Sequence, residues 1–304
     1  MSGFKVLSPG ILSLIQDKGR FGFHDIGITS GGPFDSHAFN WANRLFDNKE
    51  SAACLEILVG GLLLKSQTTT QLAVTGADVP IKINDQKAVT WQTHSVKPGD
   101  KIAIGYATAG CRAYLSVAGG IQAPLIFGSA STVIREQLGG LYKNGQPLQT
   151  GDILPCMPGK KTTLRSVPEQ FRTQFDTDVT EVRLVPGYQY DQFSQAQLDQ
   201  FFNSEYKIAN NSDRMGYRLE GPAIKPPSRA MLSEGICLGA VQLPADGQPI
   251  ILLCDRQTIG GYPKIGSVLS LDIAKLAQLM PGKRLQFTLI AIDQAQNLLR
   301  HCKQ

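Results

Sequence analysis

The sequence predicts a mainly β protein of two domains with a few short helices, and three observations carry that prediction. Its 304 residues exceed the roughly 250–300 at which one hydrophobic core stops growing, so two cores are expected. Short β-like runs recur along the whole chain with turn signals between them, the pattern of barrels or sandwiches rather than of a doubly wound sheet. Only three segments show a helical period.

Taken in order, the runs are residues 72–75, 81–83, 88–91, 101–104, 113–118, 181–185, 236–243, 250–254 and 284–292. Asn84-Asp85, Pro98-Gly99-Asp100 and Pro281-Gly282-Lys283 separate them as turns. Residues 34–46 read as a helix, with Phe34, Ala38, Trp41, Ala42, Leu45 and Phe46 on one face and Pro33, Asp35 and Ser36 at its start. A second helix is expected at 195–202, where Ser194 and Gln197 form a capping box. A third is expected at 271–279, ahead of Pro281-Gly282. All three apolar stripes read as core faces rather than ligand faces. The low-hydrophobicity stretch 158–178 reads as the connection, giving domains of residues 1–165 and 166–304, with N-terminal elements free to pack across the boundary. A faint echo between Gly22-Phe23-His24-Asp25-Ile26-Gly27 and Gly261-Tyr262-Pro263-Lys264-Ile265-Gly266 fits either two related barrels or a coincidence in a Gly-rich chain.

Composition excludes several classes. A net charge of +5 with no basic run longer than a pair, such as Lys160-Lys161, leaves no nucleic-acid or anionic-membrane patch, while a small acidic ligand remains compatible. The longest apolar run, 57–64, is far below the ~20 residues needed to span a bilayer. The first residues lack a long apolar core and a cleavage site, so a cytoplasmic location is expected. Six cysteines, at 54, 111, 156, 237, 254 and 302, show no CxxC spacing. They are expected to be reduced and several buried, with neither zinc nor a disulfide scaffold.

Motif chemistry narrows the field further. Gly159-Lys160-Lys161-Thr162 fails as a P-loop because the upstream glycine is missing and Lys161 stands where Ser or Thr is needed. No GxGxxG after a strand, GxSxG or HExxH occurs. Four histidines, at 24, 37, 94 and 301, lack ligand spacing. His24 stands in a Gly-rich turn beside Asp25, where a structural histidine is the expectation ahead of a catalytic one, and His301 lies in a polar tail expected to fray.

Two segments concentrate functional chemistry. Residues 242–263 place a turn at Pro244–Pro249, a doubly buried strand at 250–254, and then Asp255, Arg256, Gln257 and Thr258 before Gly260-Gly261, where backbone can approach a ligand closely. In Asp213-Arg214-Met215-Gly216-Tyr217-Arg218, an extended chain would put Arg214 and Arg218 on one face, two forked donors suited to carboxylate or phosphate. Pairing of these arginines with Asp213 and Glu220 is the alternative.

The residues 27–35, Ala42-Asn43-Arg44-Leu45-Phe46-Asp47-Asn48, Leu55-Glu56, Ala118-Gly119-Gly120-Ile121, Gly128-Ser129-Ala130-Ser131-Thr132, Asp213 to Leu219 and 242–263, in that order, resemble the allophanate hydrolase subunit 2 family. That family includes the C subunit of 5-oxoprolinase, an antagonist of a sporulation kinase inhibitor, and the carboxyltransferase region of urea carboxylase. The resemblance implies two cyclophilin-like β-barrel domains. It further implies one subunit of an ATP-dependent 5-oxoprolinase that opens 5-oxoproline to glutamate, using ATP with Mg2+ in an assembly with A-like and B-like partner subunits. On this expectation Arg214, Arg218, Asp255 and Gln257 are catalytic. Gln242, Arg256, Thr258, Gly260, Gly261, Tyr262, Asp35 and Asn43 bind substrate, and no metal is held by the chain itself. Members of the family often carry a small polar residue immediately before the glycine matching Gly32, whereas Gly31 stands here with Ser30 one place earlier, which puts a catalytic role for that position in doubt. None of Met1, Met157, Met215, Met231 and Met280 precedes a lysine, so covalent biotin is not expected on this chain. Two alternatives stand beside the oxoprolinase: a biotin-dependent carboxyltransferase component acting on an amide-like substrate, and a regulatory protein that sequesters a B-like partner.

Overall fold

A computed structural model describes residues 2–157, 163–175, 178–227 and 232–301. The chain divides into two units, Met1–Gly22 with Ser30–Phe175, and Phe23–Thr29 with Asp176–Gln304. The division after Phe175 corrects the expected boundary at 165/166. The reason is local: Val167 donates its N–H to Trp91 O, Arg165 N donates to Thr93 Oγ1, and Phe171 lies 5.3 Å from the Trp41 ring, so residues 165–175 complete the first unit. Residues 158–162 of the expected connection lie outside the described residues, as do 176 and 177 and Cys302.

The first unit is built from two antiparallel sheets. One runs Ile153–Pro155, Gly3–Pro9, Leu62–Ser66, Lys101–Ile104, Ile81–Ile83, Gln86–Ala88. The other runs Leu12–Gln16, Cys54–Leu58, Ala109–Val117, Thr70–Asp78, Thr93–Val96. One cluster of buried side chains draws on both, including Phe4, Val6 and Leu64 from the first sheet and Leu55, Val74 and Leu115 from the second. The Asn84-Asp85 turn holds both residues at positive φ (51° and 65°), the twist that suits a two-residue hairpin. The expected strand at 88–91 ends at Ala88, because Trp91 turns into the left-handed region at φ 61° to bury its ring.

The Ser36–Arg44 helix starts where Asp35 Oδ1 accepts from Ala38 N at 2.9 Å, and it buries Ala38, Phe39 and Ala42 against Ala73 and Tyr114. Beneath its start, Tyr114 donates to Glu56 Oε2 at 2.5 Å, Phe34 N donates to the same oxygen at 3.0 Å, and the Arg112 guanidinium lies over the Phe34 ring at 4.2 Å.

The second unit contains a closed barrel. Its strands follow the order Val179–Pro186, Lys264–Val268, Ala240–Gln242, Ile250–Leu252, Gly216–Glu220, Glu205–Ile208, Arg284–Leu289, and the ring closes by a parallel pairing of Arg284–Leu289 with Val179–Pro186. Alternation supplies the inside: Val182, Leu184, Tyr217, Leu219, Leu285 and Phe287 are buried while Glu181, Arg218, Glu220 and Arg284 face outward. The capped Gln195–Phe202 helix stacks Phe201 on Phe287 at 4.6 Å. Asp272, fully buried, accepts from Arg183 N, Nε and Nη2 at 2.9, 2.8 and 2.7 Å.

One expectation needs correction here, and one open question gains an observation. Residues 292–301 form a helix, not a strand end and a frayed tail, because Ala295 and Leu299, one turn apart, pack with Leu269 and Ile290. The two echoing motifs differ in structure, since His24–Ile26 forms a 3-10 turn while Lys264–Val268 is a barrel strand.

Candidate functional site

The loop that follows the Ile250–Leu252 strand lies in the second unit, and its rigid supports explain its position. Residues 251–254 are all buried, as a strand enclosed on both faces requires. Before them, Gly247 takes φ 73° and donates to Pro244 O at 2.9 Å, and a Cβ there would meet Ile224 O at 2.8 Å. After them, Thr29 Oγ1 donates to Arg256 O at 2.7 Å. That bond ties the 23–29 segment to the loop and brings His24 and Asp25 beside it.

The result is an open cleft of about 610 Å³ walled by His24, Asp25, Ile236, Cys237, Arg256 and Thr258, with Gly235, Leu238 and Ile259 completing it. Its volume falls within the ~300–1,000 Å³ usual for small-molecule sites. Arg256 is the arginine of this cleft, and Asp25 is a carboxylate on its wall. Arg256 is 6% exposed, and it donates from Nε to Ile236 O at 3.1 Å and from Nη1 to Leu253 O at 3.3 Å. No carboxylate pairs with it among the described residues. Burial pushes its guanidinium below the ordinary value, and the groups acting the other way are the thiols Cys254 and Cys237. A buried, charge-unpaired arginine is costly unless an anion completes it. Cys237 is exposed, with Sγ 3.1 Å from Ser267 Oγ, while the other described cysteines are buried. Burial pushes the Cys54 thiol up to about 12 and that of Cys156 to about 11, which makes both inert.

The expected site residues separate into groups. Arg256 and Thr258 line the cleft. Arg214 and Asp255 do not: they bind one another through Nε to Oδ2 at 2.9 Å and Nη2 to Oδ1 at 3.0 Å, both nearly buried, and Asp255 N donates to Arg214 O at 2.9 Å. This pair braces the two loops, and the expected Arg214 and Asp255 thus meet one another outside the cleft lining. Arg218 is exposed on the Gly216–Glu220 strand, so the two arginines do not share a face. The chain turns at Asp213, whose Oδ1 accepts from Met215 N and Gly216 N, before the strand begins. Gln257 is half-buried, Gly261 is exposed and Tyr262 is 50% exposed.

Asp35 and Asn43 belong to the first unit. Asp35 caps its helix, and Asn43 donates to Ala52 O and accepts from Ser116 Oγ and Asn48 Nδ2. Both side chains are buried and hydrogen-bonded within the first unit.

Gln242 and Gly260 meet. A Cβ placed on Gly260 would lie 3.1 Å from Gln242 Nε2 and 2.5 Å from Ile236 Cδ1, so a side chain there would have to displace the end of Ile236. The Gln242 side chain is 1% exposed and its Nε2 has no hydrogen-bond partner among the described residues, an arrangement that costs about 1–3 kcal/mol. Over it runs a two-stranded ribbon, Glu234–Gly235 with Ile259–Gly260. Glu234 lies 2.6 Å from Lys264 Nζ and accepts from Tyr188 Oη. Burial pushes the Glu234 carboxyl up, but the hydrogen bonds from Lys264 and Tyr188 outweigh it and hold the group below its usual range. Sequence reasoning missed Glu234, Cys237 and Tyr188, since none stands in a motif and only the tertiary fold gathers them.

A barrel loop walls this open cleft around a guanidinium with no hydrogen-bonded carboxylate among the described residues, and likeness to known proteins gives its lineage. The model of the carboxyltransferase domain, subdomain A and B, matches residues 26–289, and the chain belongs to that family. Among its relatives, the 5-oxoprolinase C subunit of Escherichia coli strain K12 is 35% identical over 292 residues, covering 96% of this chain and 92% of that protein. The protein of the same name from Haemophilus influenzae is 36% identical, covering 94% and 91%. Among solved structures, the urea carboxylase of Kluyveromyces lactis matches with a TM-score of 0.90 at 32% identity, over 98% of this chain and 28% of that one.

Proposed function

We propose that this chain is one subunit of an ATP-dependent 5-oxoprolinase and that the Arg256 cleft holds the carboxylate of 5-oxoproline. The observation that carries the site is Arg256, buried and charge-unpaired in an open cleft. The likeness to two proteins named as the C subunit of 5-oxoprolinase, over more than nine-tenths of each chain, supports the reaction.

Opening the lactam adds water across its C–N bond, the ring nitrogen leaving as an amine and the carbonyl carbon becoming a carboxyl. An unstrained amide is a poor electrophile, so the step calls for activation by ATP and for fixed donors around the developing charge. Within the cleft, the Arg256 fork orients the substrate carboxylate. Thr258 and His24 line the space beside it. No cluster of three His, Cys, Asp or Glu suited to a metal occurs among the described residues, and the proposal assigns ATP with its Mg2+ to the assembly with A-like and B-like partner subunits.

The test is glutamate formation from 5-oxoproline by the chain reconstituted with its partner subunits. Arg256→Gln, which keeps donors for the two carbonyls and removes the charge, is expected to raise KM about 10–100-fold. Unchanged KM in a folded variant removes Arg256 from the site. A second reading, a carboxyltransferase component acting on an amide-like substrate, is favoured by the family match itself. It predicts carboxyl transfer from a biotin carried on another chain.

A further inference from the structure

We infer that Gln242 is the residue that recognises the lactam ring, pairing its carboxamide edge to edge with the cis-amide edge of the substrate when the Glu234–Gly235 and Ile259–Gly260 ribbon lifts. The inference rests on the oxoprolinase reading and adds to it what selects a lactam from other carboxylates.

Three observations carry it. Gln242 is 1% exposed, yet its Nε2 has no partner among the described residues, so the fold leaves a donor waiting in a dry place. The register with the Lys264–Val268 strand shifts between Val241 and Gln242, with Ile265 left over on the facing strand, so the regular ladder is interrupted beside Gln242. One residue, Ile236, links Gln242 to the cleft: its carbonyl accepts from Arg256 Nε at 3.1 Å, and its Cδ1 borders the Gly260 position against which Gln242 Nε2 lies. Ile236 therefore bonds Arg256 through its carbonyl and shares the Gly260 position with Gln242 through its side chain.

The chemistry of the substrate matches this pair. In a five-membered lactam the amide is cis, so its C=O and N–H point to one edge. A primary carboxamide presents the complementary edge, Nε2–H donating to the lactam oxygen and Oε1 accepting from the lactam N–H. A trans amide, as in a peptide, puts the two groups on opposite sides and cannot make both bonds. Glutamate, once the ring opens, has lost the edge, so the pairing discriminates substrate from product.

The ribbon that covers Gln242 is built to move. Its ladder has two residue pairs, Glu234 with Gly260 and Gly235 with Ile259, extended by Ile236 N to Thr258 O at 3.0 Å. The Glu234 ion pair with Lys264 pins it at one end. Gly235 and Ile259 of the ribbon also line the cleft, so lifting it joins the cleft to Gln242.

The experiment uses the full chain in its reconstituted complex, with Gln242→Leu and Gln242→Glu. Leucine has nearly the same volume and strands no donor, so the isolated chain is expected to melt at the same temperature or higher, while KM for 5-oxoproline rises at least about tenfold. Glutamate keeps an acceptor and loses the N–H, and is expected to raise KM as well. The unsubstituted lactam 2-pyrrolidinone, which lacks the carboxylate, is expected to inhibit the wild-type and Arg256→Gln complexes alike and to stop inhibiting the Gln242→Leu complex. If Gln242→Leu leaves KM unchanged, or if 2-pyrrolidinone inhibits it as well as wild type, Gln242 does not read the lactam. Should Leu fail to fold, KM and 2-pyrrolidinone inhibition of the Gln242→Glu complex, set against wild type, decide the matter. A wild-type complex without lactam-dependent turnover would overturn the oxoprolinase reading itself, a result separable from failure at Gln242 alone.

Discussion

Arg256 and Cys237 face the same cleft, and each gives a handle on it. The guanidinium is completed by two carbonyls and by no carboxylate among the described residues, so its charge is available to a ligand. Cys237 is the exposed one of the five described cysteines, and native alkylation with iodoacetamide is expected to label it well before Cys54, Cys111, Cys156 and Cys254. Because it lines the cleft, 5-oxoproline is expected to slow that labelling, read by peptide mass spectrometry. Equal rates with and without the lactam would place the substrate elsewhere. That Arg256 and Thr258 stand in a polar loop after a buried strand was legible in the sequence, whereas the cleft they line needed the fold. The pairing of Arg214 was not legible, since its partner Asp255 lies 41 residues away and only the fold brings the two together. Asp35 shows a local signal passed over: a carboxylate just before a helix is a preferred cap, and its Oδ1 accepts from Ala38 N.

At the scale of the element, the ribbon and the barrel strand Val179–Pro186 depend on carboxylates held ionised by cations. Asp272 is fully buried, and burial pushes its carboxyl up, but hydrogen bonds from Arg183 and the charge of Lys275 outweigh this and hold it below its ordinary 3.8. A depressed carboxyl contributes stability that is present above the unfolded value and lost as pH falls through the folded one. Asp272→Ala is expected to cost roughly 3 kcal/mol by leaving Arg183 unpaired, read as a fall in the urea midpoint at neutral pH that shrinks as the pH drops well below 3.8. An unchanged midpoint at neutral pH would deny the pair its role. In the ribbon, Glu234→Gln removes the ion pair with Lys264, so faster hydrogen exchange at the Ile236 amide is expected, with the rest of the barrel unaffected. Wild type is expected to show the same loosening as pH falls below the ordinary glutamate value of 4.5, since the Glu234 carboxyl is held below it. Elements were legible where the pattern was local: the capped Gln195–Phe202 helix and the Ile81–Ile83 and Lys101–Ile104 strands stand where expected. The Ile292–His301 helix escaped because its Gln and Asn residues hide a stripe of Ala295 and Leu299 that only packing reveals.

Across the whole molecule, two cores and a mainly β architecture followed from length, strand spacing and turn chemistry. The division itself did not, because residues 23–29 belong to the second unit while the chain on both sides of them builds the first. That excursion is what places His24 and Asp25 at the cleft, and no local signal in a Gly-rich turn announces it. No helix among the described residues is long and apolar enough to cross a membrane. Ile26 and Ile259 are 62% and 60% exposed on the second unit, apolar surface of the kind that a partner protein covers. The most direct test is ATP hydrolysis and glutamate production by the complex assembled with this chain, with Arg256→Gln in its place, and with the chain omitted. Lactam-dependent turnover is expected with wild type, a rise in KM for 5-oxoproline of about 10–100-fold with Arg256→Gln, and none of that turnover without the chain. Lactam-dependent turnover that persists when the chain is left out, or that is indifferent to the charge of Arg256, would contradict the assignment of this cleft to 5-oxoproline.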